Sequence, residues 1–281
     1  MENAPAVRPQ NAVSTNVNNQ PEIMRSDLIV PYIVLGQGLS DAVVDRKVQL
    51  GDIYRSTNQE VLGNPDKPIQ AVLMGAPRPD WVIEQKAGQK FEYRKSEPRH
   101  AGNETLPWQF WADDDGVPME AGQKGATEWR RVKRLTVFAI LLNDIIAASE
   151  EMKKVDQGEL PDPSKALTPV VLSFRSSSYK AGREVATFFS KAKSMRADIW
   201  RYVVTLGCDL DKNDQGSFYV WKVDTNKPTA VPKEHVSLVQ EWVNMVTARV
   251  EELNIDEEGD TAAHSGSAAP RDVSQAAKDV C

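Results

Sequence analysis

The run from Trp129 to Leu142, WRRVKRLTVFAILL, decides how the rest of the chain is read. Its second half is apolar without a break and rich in β-branched and aromatic side chains. That suits a strand buried on both faces at the centre of a sheet. Its first half alternates, with Arg131 and Lys133 on one face and Val132 on the other. One long strand is expected, its far end held in a core and its near end basic. Arg130, Arg131, Lys133 and Arg134 are candidates there for contact with phosphate, although a solvated strand end that happens to be basic reads the same way.

A strand of that length needs a large core, and the composition supplies one. The chain has 281 residues, of which 41% are hydrophobic and 26% charged, close to the average for soluble globular proteins. The longest apolar run, Leu135 to Ala148, is cut by Asn143 and Asp144 and falls short of the roughly 20 residues a membrane helix requires. No membrane association is expected. Residues 1–26 are rich in Asn, Pro, Ala and Val without periodicity, which reads as a disordered arm and not as a secretory signal. Cys208 and Cys281 form neither a disulfide framework nor a metal-ligand spacing, so a reducing cytoplasm is the expected location. The net charge of −6 is unevenly placed. From Glu251 onward there are eight acids against two bases, which accounts for the whole excess and leaves residues 1–250 neutral. Residues 255–281 are expected to be a flexible acidic tail, and the bulk pI says little about local basic patches.

Further strands are expected on both sides of the central run. Leu28 to Leu35 and Pro68 to Met74 are apolar and β-branched, and Gly51 to Leu62 looks like a hairpin with a polar turn. Ser40 offers a cap for a short helix over 41–46. Residues 75–125 are dense in Gly, Pro and charge, yet Trp81, Phe91, Tyr93, Trp108, Phe110 and Trp111 punctuate them. They read as a loop-rich insertion whose rings pack beneath it or remain exposed for stacking. Residues 143–158 suggest a short helix, and 168–174 another strand. Ile199 to Leu206 and Ser217 to Val223 read as two strands joined by an Asp/Asn/Gly-rich turn at 209–216. Pro232 opens a helix over 233–252 with Val236, Val239, Val243 and Val246 on its apolar stripe. Residues 27–254 are expected to form a single domain, mainly β with a few helices.

Between two of those strands lies a second basic segment, Leu172 to Arg201, LSFRSSSYKAGREVATFFSKAKSMRADIWR. It holds seven basic and two acidic residues, interleaved with Phe174, Tyr179, Phe188, Phe189 and Trp200. Cations for phosphates and rings for unstacked bases are what a single-stranded nucleic acid requires. After the cap candidates Ser176 to Ser178, helical spacing puts Ala181, Val185, Phe188 and Ala192 on an inner face. Lys180, Arg183, Thr187 and Lys191 fall outside. Phe174, Arg175 and Tyr179 sit at the strand-to-helix junction, less committed to a core. Catalytic signatures are missing: there is no Walker loop, no GxGxxG after a strand, no HExxH and no GxSxG. His100, His235 and His264 pair with no Cys or carboxylate at ligand spacing. No enzyme activity, metal or cofactor is expected.

Three stretches carry a family likeness. They are Pro31 to Gln37 with Ser40 to Val43 and Gly51 to Ile53, then Val170 to Arg183 with the helix that follows, then Phe218 to Lys222. In these the chain resembles bacteriophage single-stranded DNA-binding proteins of the OB-fold type. The resemblance implies an OB-like Greek-key barrel with a long insertion and a helix near the C-terminus. It implies sequence-independent binding of single-stranded DNA in phage replication or recombination, through a cationic aromatic-lined groove. It further implies that the acidic tail recruits replication or recombination proteins. The tail ends Ala-Lys-Asp-Val-Cys and clusters its acids at 256–260, unlike tails that finish in acids and an aromatic. The candidate binding residues are Arg130, Arg131, Lys133, Arg134, Phe174, Arg175, Tyr179, Lys180, Arg183 and Lys191. An oligomer is compatible with the reading, as are a virion structural or assembly protein and a strand-annealing recombination protein.

Overall fold

The computed structural model describes residues 30–249 apart from positions 39, 89, 214 and 215. The expected arm at 1–26, the tail at 255–281, His264 and the last residues of the expected 233–252 helix lie outside the described residues. In chain order the strands are β1 (Tyr32–Leu35), β2 (Ile53–Arg55), β3 (Val61–Gly63), β4 (Ile69–Leu73), β5 (Arg78–Ala87) and β6 (Lys90–Pro98). They continue with β7 (Gln109–Ala112), β8 (Thr127–Leu141), β9 (Val170–Arg175), β10 (Tyr202–Asn213) and β11 (Gly216–Ala230). The helices are α1 (Asp41–Val44), α2 (Leu142–Asp156), α3 (Tyr179–Ser194) and α4 (Val236–Arg249).

The expected central strand is β8, and it is the spine of the sheet. Its far half lies between β4 and β9, in the order β11-β10-β4-β8-β9-β1-β2-β3. Its near half runs on beyond that sheet between β5 and β7, with β6 outside β5. Strand alternation sends Leu135, Val137, Ala139 and Leu141 into one core, with Phe174 of β9 and Ala181, Val185 and Phe188 of α3. Phe138 and Ile140 enter the other, with Ile145 of α2 and Val239, Val243 and Val246 of α4. A third, smaller cluster of Trp81, Ile83, Ala112 and Trp129 holds the near end together.

The protein is thus mostly β with a few helices, in a mixed open sheet. The OB-like Greek-key barrel is not formed. β1 runs parallel to β9, and the ladder ends at β11 on one side and at the three-residue β3 on the other. Closure would need a strand on the outer edge of β11, and side chains occupy that edge instead. The Gln37 amide donates to the Tyr219 carbonyl at 2.7 Å and accepts from the Tyr219 N–H at 3.1 Å. The Ser178 hydroxyl accepts from the Trp221 N–H at 3.1 Å. An edge satisfied this way is blunted against further strand addition.

Several boundaries differ from expectation for identifiable reasons. The 75–125 segment is less a loop-rich insertion than a long β5–β6 hairpin plus β7, because Trp81 and Phe110 pack with Trp129 and Phe91 lies under Arg130 across strands. The expected polar turn at 209–216 is mostly strand: β10 and β11 continue in register to Asn213↔Gly216. Helix α2 extends over 15 residues. From it, the buried Glu151 carboxylate accepts from Lys154, Lys165 and the Asp162 N–H, pinning the α2–β9 connection. Those hydrogen bonds, led by Lys154, hold its carboxyl down at about 2. Ser176 to Ser178 form a 3-10 turn without side-chain capping, since Ser178 is spent on β11.

Helix α3 meets the sheet through Gly182. A Cβ there would lie 2.7 Å from the Phe174 Cβ and 3.1 Å from the Leu135 Cβ, so helix and sheet touch backbone to side chain. Replacing a helical glycine by alanine ordinarily stabilises by about 1 kcal/mol. Here Gly182→Ala is expected to lower the urea unfolding midpoint instead, and Gly182→Val to cost about 2 kcal/mol through overpacking.

Candidate nucleic-acid interface

The pleat of β8 divides the basic strand into two populations with different fates. On the α2/α4 side, Arg130 pairs with Glu84 at 2.5 Å and lies over the Phe91 ring at 4.0 Å. Glu84 also meets Arg175 of β9 at 3.3 Å, and Arg134 meets Asp80 at 3.3 Å and Ser96 at 3.0 Å. Register enforces this: Glu84 is opposite Arg130, Asp80 opposite Arg134, and Arg134 opposite Arg175. Arg134 and Arg175 are only 3% and 6% exposed. These cations neutralise buried carboxylates, so a phosphate has no access to Arg134 or Arg175.

The opposite face of the same strand carries Trp129, Arg131, Lys133 and Leu135. The Arg131 guanidinium lies 4.1 Å over the Phe110 ring and donates to the Pro107 carbonyl at 2.9 Å. Burial pulls it below the usual arginine value, with Glu97 opposing. Lys133 is exposed, 5.3 Å from the Trp81 ring and 3.1 Å from Glu104. Glu104 also receives Arg99 at 2.5 Å. Its carboxyl is held below the usual range, chiefly by the Lys133 hydrogen bond.

Arg99 is the residue that sequence reasoning missed. It follows β6 in the turn 98–104, which Asn103 organises. The Asn103 amide accepts from Trp81 Nε1 and the His100 N–H and donates to the Pro98 carbonyl. The Arg99 guanidinium is thereby set between the Trp81 and Tyr179 rings, at 6.0 and 5.7 Å, and donates to the Tyr179 hydroxyl at 2.7 Å. Nothing in its sequence neighbourhood separates Arg99 from the other charges of the hairpin. Only the fold brings it 80 residues along the chain to α3.

Arg99, Tyr179, Arg183, Thr187, Ser190 and Lys191 line a groove of about 520 Å³ along α3. Three cations and a row of hydroxyls face it, and among the described residues no carboxylate lines it. Arg183, Lys191 and Tyr179 are therefore brought together as expected of one surface. Lys180 is exposed but outside the lining. Phe174 is 1% exposed and stands edge-on to Trp221 at 6.2 Å. It packs the core under α3 and offers no ring to a base. Tyr179 is the aromatic that lines the groove, so the groove is cationic rather than aromatic-lined.

Residues 159–249 match the model of a family described as Pam3 phage gp34-like protein. This supports a bacteriophage protein. The matched segment contains β9, α3, the β10–β11 hairpin and α4, and so carries Tyr179, Arg183 and Lys191 but not Arg99. No curated protein and no solved structure matches the chain. Among the described residues no helix is long and apolar enough to cross a membrane.

Removing one partner from a buried ion pair leaves an uncompensated charge, at a cost of about 3–5 kcal/mol. Glu84→Gln is expected to destabilise the protein by about 3 kcal/mol in urea unfolding, because both Arg130 and Arg175 lean on that carboxylate.

Proposed function

We propose that the α3 groove binds the phosphodiester backbone of single-stranded DNA, independently of sequence and without catalysis, in phage DNA replication or recombination. The observation that carries this reading is the convergence of Arg99, Arg183 and Lys191, with the Ser190 hydroxyl, on a groove that no carboxylate lines among the described residues. Cations and hydroxyls of this kind hold phosphate oxygens, and such contacts position a strand without reading its bases. The half-buried Tyr179 ring provides flat apolar surface beside the track, while Trp81 and Trp129 are buried beneath the same face. The match to a phage family over the segment that builds α3 agrees with this setting.

Each neutralised phosphate on a single strand contributes about −0.7 to the slope of log affinity against log salt. Arg99 is already neutralised by Glu104, so Arg183 and Lys191 predict a slope of about −1.4 for an oligo-dT ligand in fluorescence polarisation. The double change Arg183→Glu with Lys191→Glu is expected to weaken binding more than tenfold at low salt. Unchanged affinity in that variant, or no binding of oligo-dT by the intact protein, removes the reading.

The acidic excess after Glu251 suggests an internal competitor for the same cations. Deleting residues 255–281 is expected to tighten oligo-dT binding at low salt, with the difference shrinking as salt screens the charges. Equal affinities with and without the tail would dismiss the competition.

A further inference from the structure

The face of β8 that leads out of the α3 groove ends in a second cavity of different chemistry. It encloses about 290 Å³, just below the range of drug-sized ligand clefts. Its floor is apolar and largely buried, with Ile83 2% and Trp129 3% exposed. Ile83, Phe110 and Trp129 lie there, the last two with ring centroids 6.1 Å apart and planes inclined by 29°. The wall holds Arg131, 4.1 Å over Phe110, together with Arg94 and with Lys95, which pairs with Glu97 at 2.8 Å. Unlike the groove, it also holds carboxylates, Glu97, Asp114 and Asp115. Asp114 is fixed by the Gln85 amide, whose nitrogen donates to one carboxylate oxygen at 2.8 Å. The turn that presents Asp114 and Asp115 is itself held, because the Asp113 carboxylate accepts from the N–H groups of Asp115 and Val117.

We infer that this cavity takes one unstacked nucleobase, with a preference for bases bearing an exocyclic amino group, of which cytosine is the smallest. The inference rests on the reading of the α3 groove as a phosphate track and adds base preference to it. Three carboxylates make the cavity unfit for a phosphate, so the anionic part of a strand stays with Arg99, Arg183 and Lys191. A base stacks on the planar Arg131 guanidinium, which the Phe110 ring backs at 4.1 Å, without regard to sequence. The wall then discriminates. Carboxylates accept from the N4 amino group of cytosine, and arginine or lysine donates to a base carbonyl. Thymine offers a carbonyl where cytosine offers the amino group and meets a carboxylate there. Geometry allows one strand to use both places. Trp129, Arg131, Lys133 and Leu135 share one face of β8. Arg131, at the cavity, and Leu135, at the groove, are four residues apart, about 13 Å at strand rise.

The test compares fluorescently labelled oligo-dC and oligo-dT of equal length at one salt concentration. Oligo-dC is expected to bind about tenfold tighter, within the range one well-paired base edge provides. In Asp114→Asn, and separately in Phe110→Ala, the ratio of the two affinities is expected to fall close to one. In Arg183→Glu with Lys191→Glu both affinities drop while the ratio persists. Equal affinities in the intact protein, or a ratio that survives Asp114→Asn, overturns the inference. Calorimetric titration with dCMP and dTMP separates it from the groove reading. If oligo-dT fails to bind, a dCMP preference abolished by Asp114→Asn still supports the cavity, and no preference between the two overturns it.

Discussion

The pleat of one strand governs this protein. Successive side chains of β8 point to opposite faces, and over 15 residues that alternation is applied first to apolar side chains and then to charges. At the far end it divides apolar side chains between two cores, one beneath α3 and one beneath α2 and α4. At the near end it divides charges. Arg130 and Arg134 turn toward Glu84 and Asp80, while Arg131 and Lys133 turn toward the face that carries the groove. A slip of one residue in register would exchange the two sets and bury the wrong cations.

The buried charges show why that register is firmly specified. Ions withdrawn from water repay the cost only when paired with good geometry, and cross-strand opposition supplies the pairing here. Glu84 serves arginines from two strands, and Arg134 is held by Asp80 and Ser96. The free edge of β11 is managed with the same economy. Gln37 and Ser178 take up its hydrogen-bonding groups at Tyr219 and Trp221, which blunts that stretch of the open edge.

Much of the fold was legible from residue pattern. β8, β9 and the β2–β3 hairpin lie where apolar runs and turn residues place them. The inner face of α3 consists of Ala181, Val185, Phe188 and Ala192, as helical spacing requires. The candidate site was legible in part. Arg183, Lys191 and Tyr179 come together because they share one helix. Arg175 and Phe174 looked equally available at the junction and are buried, because β9 is flanked by β8 and β1. The OB-like Greek-key barrel is the reading that the open sheet does not support, since local pattern carries no information on whether the last strand meets the first.

The sequence by itself determined which residues alternate, which form a helix and where the excess negative charge lies, because these depend on neighbours a few positions away. Only the tertiary structure decided which cations are buried in ion pairs and which face the groove side of the sheet. Arg130, Arg131, Lys133 and Arg134 are chemically alike along the chain. They diverge when β5 sets Asp80 and Glu84 opposite some of them and the turn after β6 carries Arg99 to α3. That partnering is a property of strand register, which is set by burial across the whole sheet. The basic run therefore announced a surface, and the fold chose half of it.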